Sequence, residues 1–305
     1  MEFALRPESP FALEYTLESG QVFRWDHRDE WWYGVVDGGV LKIKMEGDAL
    51  SCLSSSDRID GRYAANYFRL DEDPRPMFAS LMADSVMARA VQEFYGMRLI
   101  RQDPWECLAS FVLATNSNIP RIRRMVTNVC DSFGDEFSFE GAAYHAFPKP
   151  DVLAEAGVDE LAKCGLGYRA PFLKRVAQSV DGGRLDFGEL ALVGYESARE
   201  RLLSRLFGEK LLLGVGPKVA DCVLLFSCGK DEAFPIDVWV ARALLRYFPE
   251  LVEPPLRKKL AKSSKKSLTS KEYERVSAAA RERFGRNAGY AQQYLFMMAR
   301  SEGIV

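Results

Sequence analysis

The sequence has no long hydrophobic run and no pair of cysteines at metal-binding spacing. No apolar stretch approaches the roughly 20 residues that cross a bilayer. The first residues, MEFALR, lack the basic-then-apolar pattern of a signal peptide. The six cysteines are scattered along the chain without C-x-x-C spacing. We therefore expect a soluble protein without membrane contact, whose cysteines are reduced intracellular thiols that bind no metal.

The sequence also lacks an excess of positive charge. Its 41 Lys and Arg residues are outnumbered by 43 Asp and Glu residues, which gives a net charge of −2 and a pI near 5.9. Proteins that bind nucleic acid through bulk charge have the opposite balance, so a DNA-binding surface on this chain must be local. The serine-interleaved basic run over 257–271 is more typical of a solvated linker than of a specific contact. The candidate basic patches are Arg121, Arg123 and Arg124, then Arg169 and Lys174, and the run Arg257, Lys258, Lys259, Lys262, Lys265, Lys266 and Lys271.

The periodicity of apolar residues predicts an α+β fold. Residues 11–56 alternate apolar and polar, with turn signals at 26–29 and 37–39, which predicts an antiparallel β-meander. Helical spacing dominates the remainder of the chain. We place a domain boundary near Asp71-Glu72-Asp73-Pro74. The prediction is an N-terminal antiparallel β-sheet subdomain over residues 1–73 and a mostly α-helical part over 74–305.

Several helices in the second part are marked by their own signals. Apolar residues recur at helical spacing over 77–95, and Asp103-Pro104 is typical of an N-cap followed by proline at the first helical position. Two final helices are expected over about 270–284 and 288–300. The last of them should pack back on the first helices.

The most informative segment is LGVGPKVAD over 213–221. Gly214 and Gly216 flank Val215 between apolar stretches, which predicts two helices joined by a tight hairpin near 200–228, with both glycines in left-handed conformations. Pro217 suits the first turn of the second helix, expected over 218–228 and buried on nearly every face. Free backbone N–H groups and the positive helix end would then bind a phosphate without regard to base sequence.

Lys218 and Asp237 supply the candidate chemistry beside that hairpin. Lys218 stands on the first turn of the buried helix and shares a helical face with Cys222, so both side chains could line one pocket. The alternative is that Lys218 is only a phosphate contact or only a residue at the solvated start of the helix. Asp237 precedes an apolar helical pattern over 238–248 and should be its N-cap. A carboxylate held by backbone N–H groups stays ionised and can stabilise developing positive charge, although Asp237 could equally do nothing but cap.

At these residues the chain resembles the helix-hairpin-helix glycosylase superfamily. Five further motifs, in the same order, resemble the eukaryotic-type 8-oxoguanine DNA glycosylase/AP lyase family: ESGQVFRW at 18–25, RLIRQDPWEC at 98–107, NSNI at 116–119, GLGYR at 165–169 and AGYAQ at 288–292. The resemblance covers almost the whole chain. It implies a helical HhH-GPD core with C-terminal helices returning to it. No cysteine follows Cys228, which disfavours the branches that carry an iron–sulfur cluster.

The resemblance implies roles for particular residues. Lys218 would be the catalytic amine and Asp237 the essential carboxylate, with Gly214, Val215 and Gly216 as the phosphate hairpin. The base pocket would hold a flat purine between Cys222 and Phe296, and Gln292 would meet its Watson–Crick edge. Because oxidation turns guanine N7 into a donor, the Gly20 carbonyl would discriminate the lesion. Pro235 completes the implied base pocket: Gly20, Cys222, Pro235, Gln292 and Phe296.

Flipping a nucleotide leaves a gap that protein side chains must fill. By resemblance, Asn116 fills the gap, Tyr168 wedges the opposite strand, and Arg121 and Arg169 donate hydrogen bonds to the orphaned cytosine. Taken alone, Tyr168-Arg169 would be a core aromatic beside a surface arginine, Gly20 a turn residue and Phe296 a core aromatic. Two positions depart from the family pattern. Leu213 stands where the hairpin usually has proline, and Trp239 stands where the family has histidine.

The sequence thus predicts a base-excision-repair enzyme that removes 8-oxoguanine opposite cytosine through a lysine Schiff base and nicks the strand by β-elimination. Its partner is double-stranded DNA carrying oxidised guanine. No metal or organic cofactor is expected, and we expect a monomer in the cytoplasm or nucleoid, or in the nucleus if the source is eukaryotic. Two alternatives stay open: a glycosylase of the same fold for alkylated purines or formamidopyrimidines, and a non-catalytic helix-hairpin-helix DNA-binding module.

Overall fold

The N-terminal part of the chain forms an antiparallel sheet of five strands in the order β1-β5-β4-β3-β2. The computed structural model describes residues 1–206, 209–210, 212–262 and 268–304. Alternate residues of β3 and β5 are buried, as expected for a sheet with one face on a core. The strands are β1 (Glu2–Leu5), β2 (Trp25–Arg28), β3 (Trp31–Val36), β4 (Gly39–Glu46) and β5 (Ala49–Ser54).

The predicted meander is confirmed for β2 to β5 and wrong at its start. Residues Leu13–Glu18 form helix α1, because Leu13 and Leu17 lie one turn apart and are both buried. The turn expected over 26–29 lies at 29–30, since β2 continues to Arg28 and pairs with β3. The turn before Gly39 lies where it was predicted, and β1 adds an edge strand on β5.

Helices dominate the remainder, and the predicted α+β class is confirmed. The mostly helical part also contains strands that the sequence did not predict: a β-hairpin of β6 (Glu136–Phe139) and β7 (Ala142–His145), and the short pair β8 (Arg205–Leu206) and β9 (Glu209–Lys210). The helices are α2 (Gly61–Tyr67), α3 (Arg75–Met82), α4 (Ser85–Glu93), α5 (Pro104–Leu113), α6 (Ile119–Phe133), α7 (Pro150–Glu155), α8 (Val158–Leu161), α9 (Ala170–Asp181), α10 (Phe187–Leu192), α11 (Tyr195–Leu203), α12 (Pro217–Ser227), α13 (Val238–Tyr247), α14 (Pro254–Lys262), α15 (Ser270–Phe284) and α16 (Ala288–Ser301).

Capping aspartates decide where several of these helices begin. The helical pattern over 77–95 is split into α3 and α4, because Asp84 accepts hydrogen bonds from the N–H groups of Val86 and Met87 and starts a new helix. Asp103 caps α5 as predicted, by accepting from the N–H of Glu106 at 2.8 Å.

The last helix is the central element of the helical part. Twelve consecutive residues of α16, from Ala288 to Ala299, are buried. The helix packs on α4 and α13, which confirms that the C-terminus returns to the first helices. Gln293 donates to the Ser19 carbonyl, so α16 also fixes the chain just before Gly20. One core lies in this helical part and another lies under the sheet, around Trp25, Leu41 and Ile43.

The basic run over 257–271 is helical for its first residues, so its interpretation as a linker is wrong there. Leu256 and Leu260 of α14 are buried, and Lys259 pairs with Glu272 at 2.7 Å. Lys265, Lys266 and the serines between Lys262 and Leu268 lie outside the described residues. Of the other candidate patches, Arg121 and Arg124 are exposed, whereas Lys174 donates to the Ala156 carbonyl.

All six cysteines are buried and free. Within the described ranges no three His, Cys, Asp or Glu side chains are grouped as a metal site would need. None of the described helices is both long and apolar enough to pass through a bilayer. The predicted boundary near residues 71–74 stays a prediction.

Candidate active site

The glycine turn before α12 has one left-handed residue. Gly214 has φ +82°, and a Cβ there would lie 2.9 Å from the Phe172 ring, so a side chain is excluded. Gly216 is extended (φ −106°, ψ −179°) and is the N-cap of α12, so the left-handed prediction was wrong for it. It leaves open space beside the first turn of the helix. Leu213 is partly exposed at the turn.

The segment before the turn differs from a helix-hairpin-helix with adjacent helices. The helix α11 ends at Leu203, and β8 and β9 follow before the described residues resume at Leu212 in a turn. The second helix, α12, begins at Pro217 and ends at Ser227, one residue earlier at each end than predicted. Its burial is confirmed from Val219 to Phe226. Gly214, Gly216 and Pro217 line a cavity, and the Val215 N–H donates to the Leu212 carbonyl within the turn.

Lys218 and Asp237 line the same cavity, whose volume is about 680 Å³. Lys218 is half-buried on the first turn of α12, with its ammonium 4.7 Å from the centre of the Phe111 ring. Part of the cavity wall is apolar and is formed by Phe23, Phe111 and Ile122. Polar groups are added by Asn116 and Asn118. An amine and a carboxylate thus line one open cavity that is large enough for a purine nucleotide.

Asp237 is the N-cap of α13, as predicted, and its Oδ1 accepts from the Val240 N–H at 2.8 Å. Burial raises the pKa of this carboxyl above its ordinary value, although the Val240 and Trp239 N–H groups and the charge of Lys218 oppose that rise. Burial and the backbone hydrogen bonds thus act on this pKa in opposite directions, and the expectation that the carboxyl stays ionised remains a prediction. The helix cap fixes the carboxyl geometrically while burial makes its ionised form less favourable.

Cys222 lies one helical turn beyond Lys218 and is buried. Burial raises the pKa of its thiol to about 11, although the neighbouring Lys218 ammonium opposes that rise. The thiol is therefore protonated at neutral pH and acts as a small apolar group. It lies beneath Lys218 and does not line the open cavity.

Gly20 and Phe296 form one wall of the cavity. Gly20 has φ +76°, and a Cβ there would lie 3.2 Å from two atoms of the Phe296 ring and 3.3 Å from Ile119. The backbone of Gly20 is therefore in close contact with the aromatic ring, while its predicted approach to the damaged base stays a prediction. Pro235 and Gln292 are buried behind the wall. Within the described residues, Gln292 Oε1 is buried without a hydrogen-bond donor, so its acceptor remains available.

The residues predicted to meet the opposite strand gather at the edge of the cavity. Asn116 is exposed with φ +49°, and its amide donates to the Tyr168 hydroxyl at 3.3 Å. Tyr168 is 51% exposed, so the core-aromatic alternative does not hold. Arg121 is exposed near the start of α6. Their contacts with DNA stay predictions.

Arg169 is placed differently from its neighbours. Its side chain is buried, its Nε donates to the Thr115 carbonyl at 3.0 Å, and its Nη2 donates to the carbonyls of Thr115 and Asn116. Burial lowers the pKa of its guanidinium. The structure thus turns the donors of Arg169 towards the protein, where they hold the loop that carries Asn116.

The sequence interpretation missed Phe111, Tyr273 and Arg300 as cavity residues. Arg300 follows Phe296 by four residues on α16, and this helical spacing is a signal that could have found it. Its guanidinium carbon lies 5.4 Å from the centre of the Phe296 ring, and Nη1 donates to the Glu18 carbonyl at 3.1 Å. Trp239 also lines the cavity, so the departure from histidine places an indole there.

Comparison with known proteins places this geometry in a family. Residues 4–108 match the 8-oxoguanine DNA glycosylase, N-terminal domain, and residues 109–269 match the HhH-GPD superfamily base excision DNA repair protein family. A probable N-glycosylase/DNA lyase of Methanothermobacter thermautotrophicus is 30% identical over 75% of this chain and 71% of its own length. The N-glycosylase/DNA lyase of Saccharomyces cerevisiae is 29% identical over 95% of this chain and 83% of its own length.

A solved structure agrees with these matches. The Clostridium acetobutylicum 8-oxoguanine glycosylase/lyase, in complex with double-stranded DNA containing cytosine opposite 8-oxoguanine, superposes with a TM-score of 0.83. It is 30% identical, and the match covers 96% of this chain and 93% of that one. This chain therefore belongs to the HhH-GPD superfamily of base excision DNA repair proteins, carries the N-terminal domain of the 8-oxoguanine DNA glycosylases, and is a DNA glycosylase with AP lyase activity.

Proposed function

We propose that this enzyme removes 8-oxoguanine from DNA through a Schiff base on Lys218 and prefers cytosine opposite the lesion. The observation that carries the proposal is that the Lys218 amine and the Asp237 carboxyl line one cavity, together with Gly20 and Phe296. The similarity to 8-oxoguanine glycosylase/lyases over nearly the whole chain supports the substrate. The non-catalytic binding module is excluded by the family.

In the proposed reaction the Lys218 ammonium first gives a proton to water, and the amine then attacks C1′ of the flipped nucleotide. The bond from C1′ to the base breaks, its electron pair leaves with the base, and Asp237 stabilises the positive charge that develops on the sugar. The amine loses a proton to the departing base, after which the C1′–O4′ bond breaks and O4′ takes a proton from water as the ring opens to the protonated imine. The imine acidifies the C2′ proton, and its loss expels the 3′ phosphate by β-elimination.

Lesion recognition is assigned to the wall that Gly20 forms. Its carbonyl is the proposed acceptor for the N7–H that only the oxidised base carries. Phe296 offers a flat face for the purine, and Gln292 would present its amide to the Watson–Crick edge. The N–H groups of Gly214 and Gly216, just before α12, are proposed to bind a phosphate of the lesion strand, whereas the Val215 N–H already donates to the Leu212 carbonyl.

Borohydride trapping tests substrate and nucleophile together. Duplexes carry 8-oxoguanine opposite cytosine, 8-oxoguanine opposite adenine, an alkylated purine, or no lesion. We expect a covalent adduct with the 8-oxoguanine:cytosine duplex that is lost in Lys218→Gln, whereas Lys149→Gln, at an exposed lysine outside the cavity, keeps it. Trapping that prefers the alkylated duplex would contradict the substrate, and trapping by Lys218→Gln would contradict the nucleophile.

A second pair of variants tests the preference for cytosine. Arg121 and Arg124 are both exposed on α6 and line the same groove, but only Arg121 is proposed to donate to cytosine. Single-turnover excision rates are measured opposite each of the four bases. Arg121→Ala should reduce the ratio of rates opposite cytosine and adenine, and Arg124→Ala should leave that ratio unchanged. Equal ratios in the two variants would remove Arg121 from this role.

A further inference from the structure

A fully buried carboxylate lies behind the catalytic lysine. Asp221 follows Lys218 by three residues on α12 and has no exposed surface. Its Oδ1 accepts from the Tyr195 hydroxyl at 2.8 Å and from Arg199 Nε at 2.7 Å, and its Oδ2 accepts from the Tyr273 hydroxyl at 2.7 Å. Burying a carboxylate is costly unless it is paired and hydrogen-bonded, and these three donors meet that requirement.

Tyr273 makes a second connection that reaches the catalytic carboxylate. Its hydroxyl oxygen accepts from the Ile236 N–H at 3.2 Å, and Ile236 directly precedes Asp237. On the same helix, Ser277 Oγ donates to the Phe234 carbonyl at 3.3 Å. Helix α15 therefore holds the irregular segment 234–236 that leads into Asp237, and the ring of Tyr273 forms part of the cavity wall.

These bonds join the elements that carry the two catalytic groups. Lys218 belongs to α12, Asp221 anchors that helix to Tyr273, and Tyr273 anchors the backbone beside Asp237. We propose that Tyr273 is a positioning residue, which sets the separation of Lys218 and Asp237 by bridging Asp221 and Ile236. This inference rests on the proposed function of Lys218 and Asp237.

The segment 234–236 depends on side chains of other elements to hold it in place. It has no regular secondary structure, so its N–H and C=O groups depend on side-chain partners when buried. Without the hydroxyl of Tyr273, the buried N–H of Ile236 would lose its acceptor. Reacting groups displaced by about 1 Å can lose about a hundredfold in rate, so small movements of this segment matter.

Tyr195 provides a matched control within the same network. It is buried like Tyr273 and donates to the same carboxylate, through the other oxygen. The Tyr195 hydroxyl donates to Asp221, and Tyr195 does not line the cavity. Tyr195→Phe and Tyr273→Phe thus each remove one phenol from Asp221, but only Tyr273→Phe also releases Ile236.

The experiment compares the two variants and the wild-type chain in three measurements. These are the melting temperature, the dissociation constant for a duplex carrying a tetrahydrofuran abasic-site analogue, and the single-turnover rate of 8-oxoguanine excision. We expect both variants to lose stability, Tyr273→Phe more than Tyr195→Phe because it also leaves the Ile236 N–H without its acceptor, and both to bind DNA like the wild type. Tyr273→Phe should then excise the base about tenfold to a hundredfold more slowly, while Tyr195→Phe keeps a rate close to wild type.

Other outcomes separate this inference from the proposed function. If the wild type excises 8-oxoguanine and the two variants excise it at equal rates, the positioning role is overturned and the proposed function stands. No excision of 8-oxoguanine by the wild type overturns both. If Tyr273→Phe does not fold, Ser277→Ala removes the other bond from α15 to the same segment. A slower rate at unchanged DNA affinity in Ser277→Ala then supports the inference, and an unchanged rate overturns it.

Discussion

The ammonium of Lys218 lies over the ring of Phe111, 4.7 Å from its centre. Phe111 is in turn stacked on Phe226, with ring centres 5.6 Å apart and planes 15° apart. The aromatic pair joins α5 to α12, and the Phe111 ring faces the Lys218 ammonium. The direction of the amine is thus set by packing and by attraction to the ring face.

Phe111→Leu should therefore slow Schiff-base formation more than it weakens folding. Leucine keeps an apolar contact but removes the ring face, so we expect about a tenfold lower rate of borohydride trapping with little change in DNA affinity. Phe78→Leu, at a buried phenylalanine outside the cavity, is the control for lost packing. Equal trapping rates in these two variants would show that the ring does not direct the amine.

Gly20→Ala should damage activity out of proportion to stability. The left-handed φ of +76° costs alanine about 1–2 kcal/mol, and the new methyl group would press on Phe296 and Ile119 at 3.2–3.3 Å. Gly141 has φ +77° with nothing within 4 Å of an added Cβ. Gly141→Ala should thus lose similar stability in urea unfolding while keeping its excision rate. A Gly20→Ala enzyme as active as Gly141→Ala would contradict the close approach to the base.

The acidic limb of the pH–rate profile should report Asp237. Burial raises the pKa of this carboxyl, so it takes up its proton at a higher pH than an exposed aspartate near 3.9. Because the ionised form stabilises the sugar cation, excision should fall on acidification before exposed carboxyls titrate. Asp237→Asn keeps a residue that can cap α13, but we expect it to lose about a hundredfold in rate and the acidic limb with it. An unchanged acidic limb in that variant would assign the limb to another group.

The ion pair of Arg69 and Asp231 should contribute more to stability than pairs on the surface. Arg69 is buried, and its Nη1 lies 2.8 Å from Asp231 Oδ2. Asp231→Asn replaces the carboxylate that pairs with the buried Arg69 guanidinium by a neutral amide. This change should cost about 2 kcal/mol of unfolding free energy. Glu253→Gln, which breaks an exposed pair with Arg275 at 2.8 Å, should cost less than about 1 kcal/mol. Urea denaturation of the two variants measures the difference.

The features that the sequence predicted well depend on residues that are close together in the chain. Asp103 and Asp237 stand directly before apolar helical spacing, and both are N-caps. The strands of the meander follow from alternation and from the turn before Gly39. The two final helices were predicted to within one residue of their ends, and α15 is bounded by the capping box of Thr269 and Glu272 and by Gly285.

The features that the sequence missed depend on contacts between distant residues. Tyr273 and Asp221 are 52 positions apart in the chain, and the residues next to either one do not predict the hydrogen bond between them. Whether burial or backbone hydrogen bonds control the Asp237 carboxyl depends on how deeply the folded chain encloses it. Gly216 was expected to be left-handed because of its type, but an N-cap needs extended backbone.

The buried guanidinium of Arg169 has a consequence for how the enzyme meets DNA. It holds the carbonyls of Thr115 and Asn116, and thereby keeps Asn116 in its left-handed conformation before any duplex arrives. The conformational entropy of this loop is lost when the chain folds and not when DNA binds. We therefore expect this loop to cost the enzyme less affinity for DNA than a loop that is ordered only on binding.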